Sequence, residues 1–358
     1  MAGNQIGSVF RVTTWGESHG AALGAVVDGC PAGIELAEAD IQQALDRRKP
    51  SAAVSSTTRR EADKVEILSG VFEGRTTGTP VSLLIRNSDA ASLAYDELKD
   101  VFRPGQGDYT YLKKYGIRDW RGGGRASGRE TAARVAAGAI AEKVIAAAGM
   151  EVIAYTQAIG AIEIDRAKIP EGKDLRSIVR ENSLFCPDFQ AAAIMEKKLT
   201  AVRKEGDSLG GVVEVVVRGC PAGLGEPVFD KMDADLAKAL MSIGSVKAVE
   251  IGEGFAASTM KGSQANDQMS PGGFMTNHAG GILAGITTGQ EIVMRVYCKP
   301  IPSIAKAQQT VDYRRVQRSI QIQGRHDNCV LPRIVPVCEA MVNIVLADHW
   351  LRQRAVKL

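Results

Sequence analysis

The residues able to do chemistry fall into five short segments. Gly16-Glu17-Ser18-His19-Gly20 sets an imidazole beside a hydroxyl on tight backbone, which lets the chain approach a ligand closely. It reads as a general acid or an anion contact, and a surface turn fits it equally well. No aspartate stands at the spacing of a known Ser-His-Asp triad, which argues against a serine hydrolase. The second segment runs from Arg118 to Glu130. Gly122, Gly123 and Gly124 expose backbone N–H groups, and Ser127 with Glu130 spells an S-x-x-E capping box ahead of an apolar helix. With Arg121, Arg125 and Arg129 adding bidentate donors, this is what a phosphate site requires. It is neither a Walker A loop nor a clean G-x-G-x-x-G.

Arg47, Arg48, Arg59, Arg60, Arg103 and Arg325 form a third group, in loops. Such clustering usually means solvated charge, but in a near-neutral chain it points to a small polyanionic ligand. Gly324-Arg325-His326-Asp327 gathers a cation, an imidazole and a carboxylate, suited to acid–base work or to a surface turn. The stretch from Asn277 and His278 to Gly285 reads as close-packed backbone beside a ligand or a neighbouring strand, with a slight lean to a ligand.

The elements that must hold these segments belong to a globular chain of 358 residues, 45% hydrophobic and 24% charged, with a net charge of +3 that gives no case for nucleic acid. No apolar run looks long enough to span a bilayer and the N-terminal residues carry no hydrophobic signal segment, so the chain reads as cytoplasmic. None of the six cysteines has C-x-x-C spacing; metal binding is poorly supported, and the thiols read as reduced and mostly buried.

Residues 24–45 and 213–240 echo one another: an apolar β-branched run, Gly-Cys-Pro-Ala-Gly, then an Ala-Asp pair (Asp40, Asp235) opening an apolar helix, which suggests a duplicated β-α unit. Helices are expected from Ser127 to Gly149, over 188–204 and from Cys338 to Arg354, the last apolar on one side. Strands are expected at 80–86, 211–218 and 291–298, paired antiparallel. The polar, glycine-rich stretch 87–126 is long for a connection and reads as a functional loop.

Taken together, GESHG at 16–20, RPG and DYT within 103–110, RGGGRASGRET at 121–131, MSIGSVKAVEIGEGF at 241–255, NHAGGILAG at 277–285, KPIPSI at 299–304 and GRHD at 324–327 resemble the chorismate synthase family, in that family's order and over nearly the whole chain. The resemblance implies one α+β domain over 1–358, a four-layer αββα sandwich in which two antiparallel sheets face each other with helices outside, assembled as a homotetramer. It implies a lyase that uses reduced FMN in a 1,4-anti elimination of phosphate from 5-enolpyruvylshikimate 3-phosphate, without net redox change. By the same resemblance His19 is the proton donor near the leaving phosphate and Ser18 orients or relays. Arg48, Arg103, Arg129 and Arg325 contact substrate anions. Arg125, Ala126, Ser127, Gly244, Ser245, Ala284, Lys299, Pro300, Ile301, Pro302, Ser303 and again Arg325 contact the flavin, and Asp327 assists proton removal through it. The reductant is either external, a flavin reductase drawing indirectly on NADPH, or the chain itself, although no dedicated nicotinamide segment is visible.

The chain departs from the family's pattern at four places. Gln106 replaces a histidine thought to keep the flavin protonated, and an amide donates a hydrogen bond but no proton. Slower or pH-shifted turnover is expected, since proton-transfer groups contribute about 10²–10⁴-fold. Val54 replaces a substrate-facing arginine, a loss of ~1.5–3 kcal/mol for a charged hydrogen bond. Ala126 replaces a serine and Gly244-Ser245 an Asn-Ala pair. These changes motivate an alternative, an FMN- or phosphate-binding family member with impaired catalysis. A nicotinamide-dependent dehydrogenase is disfavoured, because no strand-G-x-G-x-x-G-helix unit is present.

Overall fold

The computed structural model describes residues 3–49, 63–87, 98–170, 174–322 and 327–356. In chain order its strands are β1 (Gln5–Ile6), β2 (Arg11–Gly16), β3 (Ala22–Asp28), β4 (Val65–Ser69), β5 (Val71–Phe72), β6 (Arg75–Thr76), β7 (Val81–Arg86), β8 (Glu151–Ile159), β9 (Ile162–Glu163), β10 (Gly211–Arg218), β11 (Val246–Ile251), β12 (Met269–Ser270), β13 (Gly273–Phe274), β14 (Ile282–Leu283), β15 (Ile286–Thr287), β16 (Ile292–Cys298), β17 (Gln308–Val311) and β18 (Gln317–Ile320). The helices are α1 (Glu38–Arg48), α2 (Asp108–Tyr115), α3 (Thr131–Ala146), α4 (Leu175–Val179), α5 (Phe189–Lys204), α6 (Met232–Met241), α7 (Gly262–Ala265) and α8 (Leu331–Gln353).

Two five-stranded sheets dominate, ordered β1-β2-β3-β7-β4 and β11-β16-β10-β8-β9, and every pairing in them is antiparallel. The expected α+β class and antiparallel pairing are therefore present. In the first sheet Leu23, Ala25 and Val27 of β3 and Val81, Leu83 and Ile85 of β7 point one way into the core, whereas in the second only β16 alternates and β8 and β10 are buried almost throughout.

The expected layer order needs correction. The principal helices lie between the sheets, not outside them: α3 packs on β2, β3 and β7 of the first sheet and on α8, and α8 packs on β8 and β10 of the second. Composition explains this placement. α3 and α8 are apolar nearly all round, as helices walled in on every side must be. At their crossing Gly138 meets Ala340 so closely that a Cβ on Gly138 would fall 2.3 Å from that of Ala340. The C-terminal helix also begins earlier than expected and is not one-sided. It has 23 residues, long and apolar enough to cross a membrane, but 83% of its most apolar window is buried inside the protein. Its length serves the core.

The sequence echo is repeated in hydrogen bonds. Thr76 Oγ1 donates to the Pro31 carbonyl and accepts from Ile34 N at 2.6 and 3.0 Å; Thr287 Oγ1 does the same with Pro221 and Leu224 at 2.6 and 2.9 Å. Leu36 N donates to Gly74 O, and Met232 N to Gly285 O, each at 2.9 Å. Ala284 and Glu73 thus occupy equivalent hairpin positions, both with positive φ.

The long polar stretch contains an unexpected helix, α2, started at Gly107 and ended by Gly116. The capping box ahead of α3 is half formed: Ser127 Oγ accepts from Arg129 N at 3.2 Å, while Glu130 turns to Arg134 instead of back to Ser127. All six cysteines are buried and unpaired.

Candidate active site

The turn carrying His19 links β2 to β3 and packs on the glycine run. Gly122 has φ +76°, and a Cβ there would lie 2.5 Å from His19 Cδ2 and 2.9 Å from Ser18 Oγ. Only glycine lets the run pass this close to the imidazole. The Gly122 carbonyl accepts from Arg103 Nη2 at 2.9 Å, and Arg103 is gripped by Asp108 through Nε and Nη2 at 2.8 and 2.7 Å. Arg118 adds a second cation 2.9 Å from Asp108. Burial pushes the Asp108 carboxyl up, but the hydrogen bonds and charge of Arg103, helped by Arg118, outweigh it and hold the group below the carboxylate range.

Past Arg103 the loop runs into the segments expected at a flavin. Gln106 Nε2 donates to Ser303 Oγ at 2.9 Å, Lys299 Nζ to the Gly105 carbonyl at 2.9 Å, and Lys299 N to Ser245 O at 2.8 Å. Pro302 packs on Gly105, and Ile301 O accepts from Ser208 Oγ at 2.7 Å. A Cβ on Gly107 would be 3.6 Å from that of Ala126. Burial, with Lys247 nearby, lowers the Lys299 ammonium from its ordinary value. Ala126, Ser245, Lys299, Pro302 and Ser303 are thus sewn to the loop that carries Arg103 and Gln106, with Gly244, Pro300 and Ile301 beside them in the chain.

A second arm leaves the same turn. Asn87, just past β7, donates through Nδ2 to the carbonyls of Glu17 and Gly20 at 3.0 and 2.8 Å, and its Oδ1 accepts from Arg129 Nε at 2.9 Å. Arg129 also pairs with Asp63, whose other oxygen pairs with Arg48 at 2.6 Å. Burial raises the Asp63 carboxyl, but Arg48 and Arg129, by charge and hydrogen bond, outweigh it and hold it below its usual value. Arg48 in turn feels the charge of Arg333, which pairs with Asp327 at 2.8 Å. Hydrogen bonds and ion pairs therefore link the His19 turn, Arg129 and Arg48, and the Arg333–Asp327 pair lies near enough to act on Arg48 by charge.

Not all of the residues singled out in the sequence join this network. Arg121 and Arg125 do not converge with Arg129. Arg121 is exposed and paired with Asp119 at 2.8 Å. Arg125 donates to Gly16 O, Thr14 O and Thr14 Oγ1 at 3.0, 3.1 and 2.7 Å, so its guanidinium ties down the first sheet. Arg47 pairs with Glu339 and lies over the Phe185 ring, away from this network. The NHAGG segment packs on backbone: a Cβ on Gly280 would fall 2.3 Å from Gly252 N, and His278 Nδ1 lies 3.1 Å from Glu253 Oε1. Ala284 sits exposed on the β14–β15 hairpin, and no described contact joins it to the other flavin segments. Val54, Arg59, Arg60, Arg325 and His326 lie outside the described residues.

Asp63, Asn87, Asp108 and Arg333 were not visible as site residues in the sequence. Asp63, Asn87 and Arg333 are lone polar residues at the edges of elements, with no motif of their own, and Asp108 belongs to the DYT motif but had no role assigned to it. Two buried atoms, Ser18 Oγ and Arg48 Nε, find no hydrogen-bond partner among the described residues. Orphans inside so dense a polar network suit the oxygens of an anionic ligand, and the amide, hydroxyl and ammonium donors of the 103–107 and 299–303 loops suit a flavin and its phosphate.

The sheets, the helical layer and this rim of guanidinium, carboxylate and imidazole groups define an α+β enzyme of anionic small molecules. Residues 10–351 match the chorismate synthase family model. A chorismate synthase from Syntrophus aciditrophicus (strain SB) is 65% identical, with 100% of each chain covered. One from Syntrophobacter fumaroxidans (strain DSM 10017 / MPOB) is 59% identical over 100% of this chain and 99% of its own. A crystal structure of chorismate synthase superposes with a TM-score of 0.76 at 33% identity, covering 97% of this chain and 93% of that one. The chain belongs to the chorismate synthase family, lyases of the shikimate route to aromatic amino acids.

Proposed function

We propose that the chain converts 5-enolpyruvylshikimate 3-phosphate to chorismate by 1,4-anti elimination, with reduced FMN as its cofactor. The observation that carries this reading is the contiguity of the His19 turn with both the Arg129–Asp63–Arg48 pairs and the 103–107, 244–245 and 299–303 segments. Arg48, Arg129 and Arg103 bind the substrate's phosphate and carboxylates, Arg325 joining them. His19, held against Gly122 with Ser18 beside it, gives its proton to the departing phosphate. Asp327, oriented by Arg333, assists removal of the C6 hydrogen at the flavin-facing side of the substrate. The backbone at Arg125, Ala126 and Ser127, with Gly244, Ser245 and residues Lys299 to Ser303, holds the flavin and keeps water from the reacting face. Reduced FMN, when bound, supplies electron density as the carbon–oxygen bond breaks and ends in its starting redox state.

The same reading includes a single domain over 1–358, a two-unit origin, a cytoplasmic location, and an external flavin reductase that draws on NADPH. It also includes a homotetramer, for which exposed Phe229, Phe255, Met269 and Met275 supply apolar surface, and in which Ala284 meets flavin. Arg48→Ala and Arg129→Ala should each raise KM for the substrate by at least about tenfold, the worth of a charged hydrogen bond. Unchanged KM in both variants would rule out this substrate site.

A further inference from the structure

We infer that Asn87 is a positioning residue for the reaction, fastening the turn that carries His19 to the buried guanidinium of Arg129. The turn has little to hold it from within: one bond closes it, Gly20 N to Glu17 O at 3.2 Å. Arg125 Nη1 holds its start at the Gly16 carbonyl, and Asn87 holds its middle and end. Its Nδ2 donates to the Glu17 and Gly20 carbonyls, which bracket Ser18 and His19, and its backbone N donates to Ala21 O at 3.1 Å. Its Oδ1 accepts from Arg129 Nε, while Arg129 is fixed on its far side by Asp63. A carboxamide is the side chain this junction requires, since it carries two donor hydrogens on one arm and an acceptor on the other. An aspartate keeps the acceptor for Arg129 but turns an oxygen toward two carbonyl oxygens.

The consequence is geometric. A misplacement of about 1 Å in a reacting group costs roughly 10²-fold in rate. Asn87 sets His19 at a fixed distance from the guanidinium that grips the substrate. The inference rests on the proposed roles of His19 and Arg129.

The test compares wild type, Asn87→Asp and Asn87→Ser in three measurements: anaerobic turnover with reduced FMN, calorimetric binding of the substrate without flavin, and ¹⁵N titration of the histidine rings. For Asn87→Asp, kcat should fall roughly 10- to 100-fold, by more than the rise in KM that the added carboxylate beside Arg129 brings. The His19 titration should shift while those of His278 and His349 stay put. For Asn87→Ser, which loses both arms with little change of charge, kcat should fall and substrate binding weaken together. Wild-type kcat in Asn87→Asp, or an unmoved His19 titration in both variants, would overturn the inference. Absence of turnover in the wild type would instead remove the reaction, and the His19 titration would still decide whether Asn87 holds the turn.

Discussion

Asp63 meets Arg48 at 2.6 Å, with the two side chains only 1% and 4% exposed. The second oxygen of the same carboxylate serves Arg129, so one buried anion organises two cations proposed to bind substrate. Removing the charge leaves both guanidinium groups uncompensated in a dry site. Asp63→Asn should destabilise the protein by about 3–5 kcal/mol, read as the midpoint of denaturant unfolding. The pH dependence follows from the direction of the shift. A carboxyl held below its ordinary value stabilises the fold fully above the unfolded value of about 3.9, and the contribution is lost as pH falls through the lower folded value. Acid titration of stability should therefore be shallower in Asp63→Asn than in wild type.

Gly122 is the closest neighbour of His19 on the glycine run. Gly122→Ala combines a positive φ with a methyl placed 2.5 Å from the imidazole. Turnover should drop by about 10²-fold or more. The loss of stability should stay near 1–3 kcal/mol. An unaltered kcat would show that His19 has no part in the chemistry.

Gln106 is bound to Ser303 and cannot exchange a proton. Wild-type turnover should show no pH limb from this position. Gln106→His should raise kcat, within the roughly 10²–10⁴-fold span of proton-transfer groups, and add a limb near about 6.5. A slower Gln106→His enzyme would mean that the bond to Ser303 matters more than a proton there.

Arg125 separates the two readings of the glycine-rich segment. Its guanidinium holds β2 by three hydrogen bonds and also reaches Asn4 Oδ1 at 3.2 Å. Arg125→Ala should lower stability by about 2–3 kcal/mol, seen in thermal melts. Substrate KM should change far less than in Arg129→Ala.

Much of the fold was legible because its signals are local. Apolar β-branched runs marked β7, β10 and β16 almost to the residue, and the helix expected over 188–204 is α5, which Asp188 caps by accepting from Gln190 N and Ala191 N. The layer order was not legible. A helix apolar all round, as α3 and α8 are, says that it is enclosed but not between what. The motif-bearing residues stand out in the sequence as candidates, but what connects them does not. Asp63, Asn87 and Arg333 are ordinary polar residues in sequence, and only the fold brings them to Arg48, the His19 turn and Asp327. The Arg121–Arg125–Arg129 grouping misled for a related reason. Close spacing in an irregular segment fixes no common direction, and the three side chains point to three different partners.

The central claim is a flavin-dependent elimination without net redox change. The most direct test is anaerobic mixing of the protein with reduced FMN and 5-enolpyruvylshikimate 3-phosphate, following phosphate, chorismate and flavin absorbance together. The account predicts equimolar phosphate and chorismate over many turnovers, with the flavin still reduced at the end. Phosphate release no faster than in a protein-free control, or release that consumes the reduced flavin mole for mole, would contradict it.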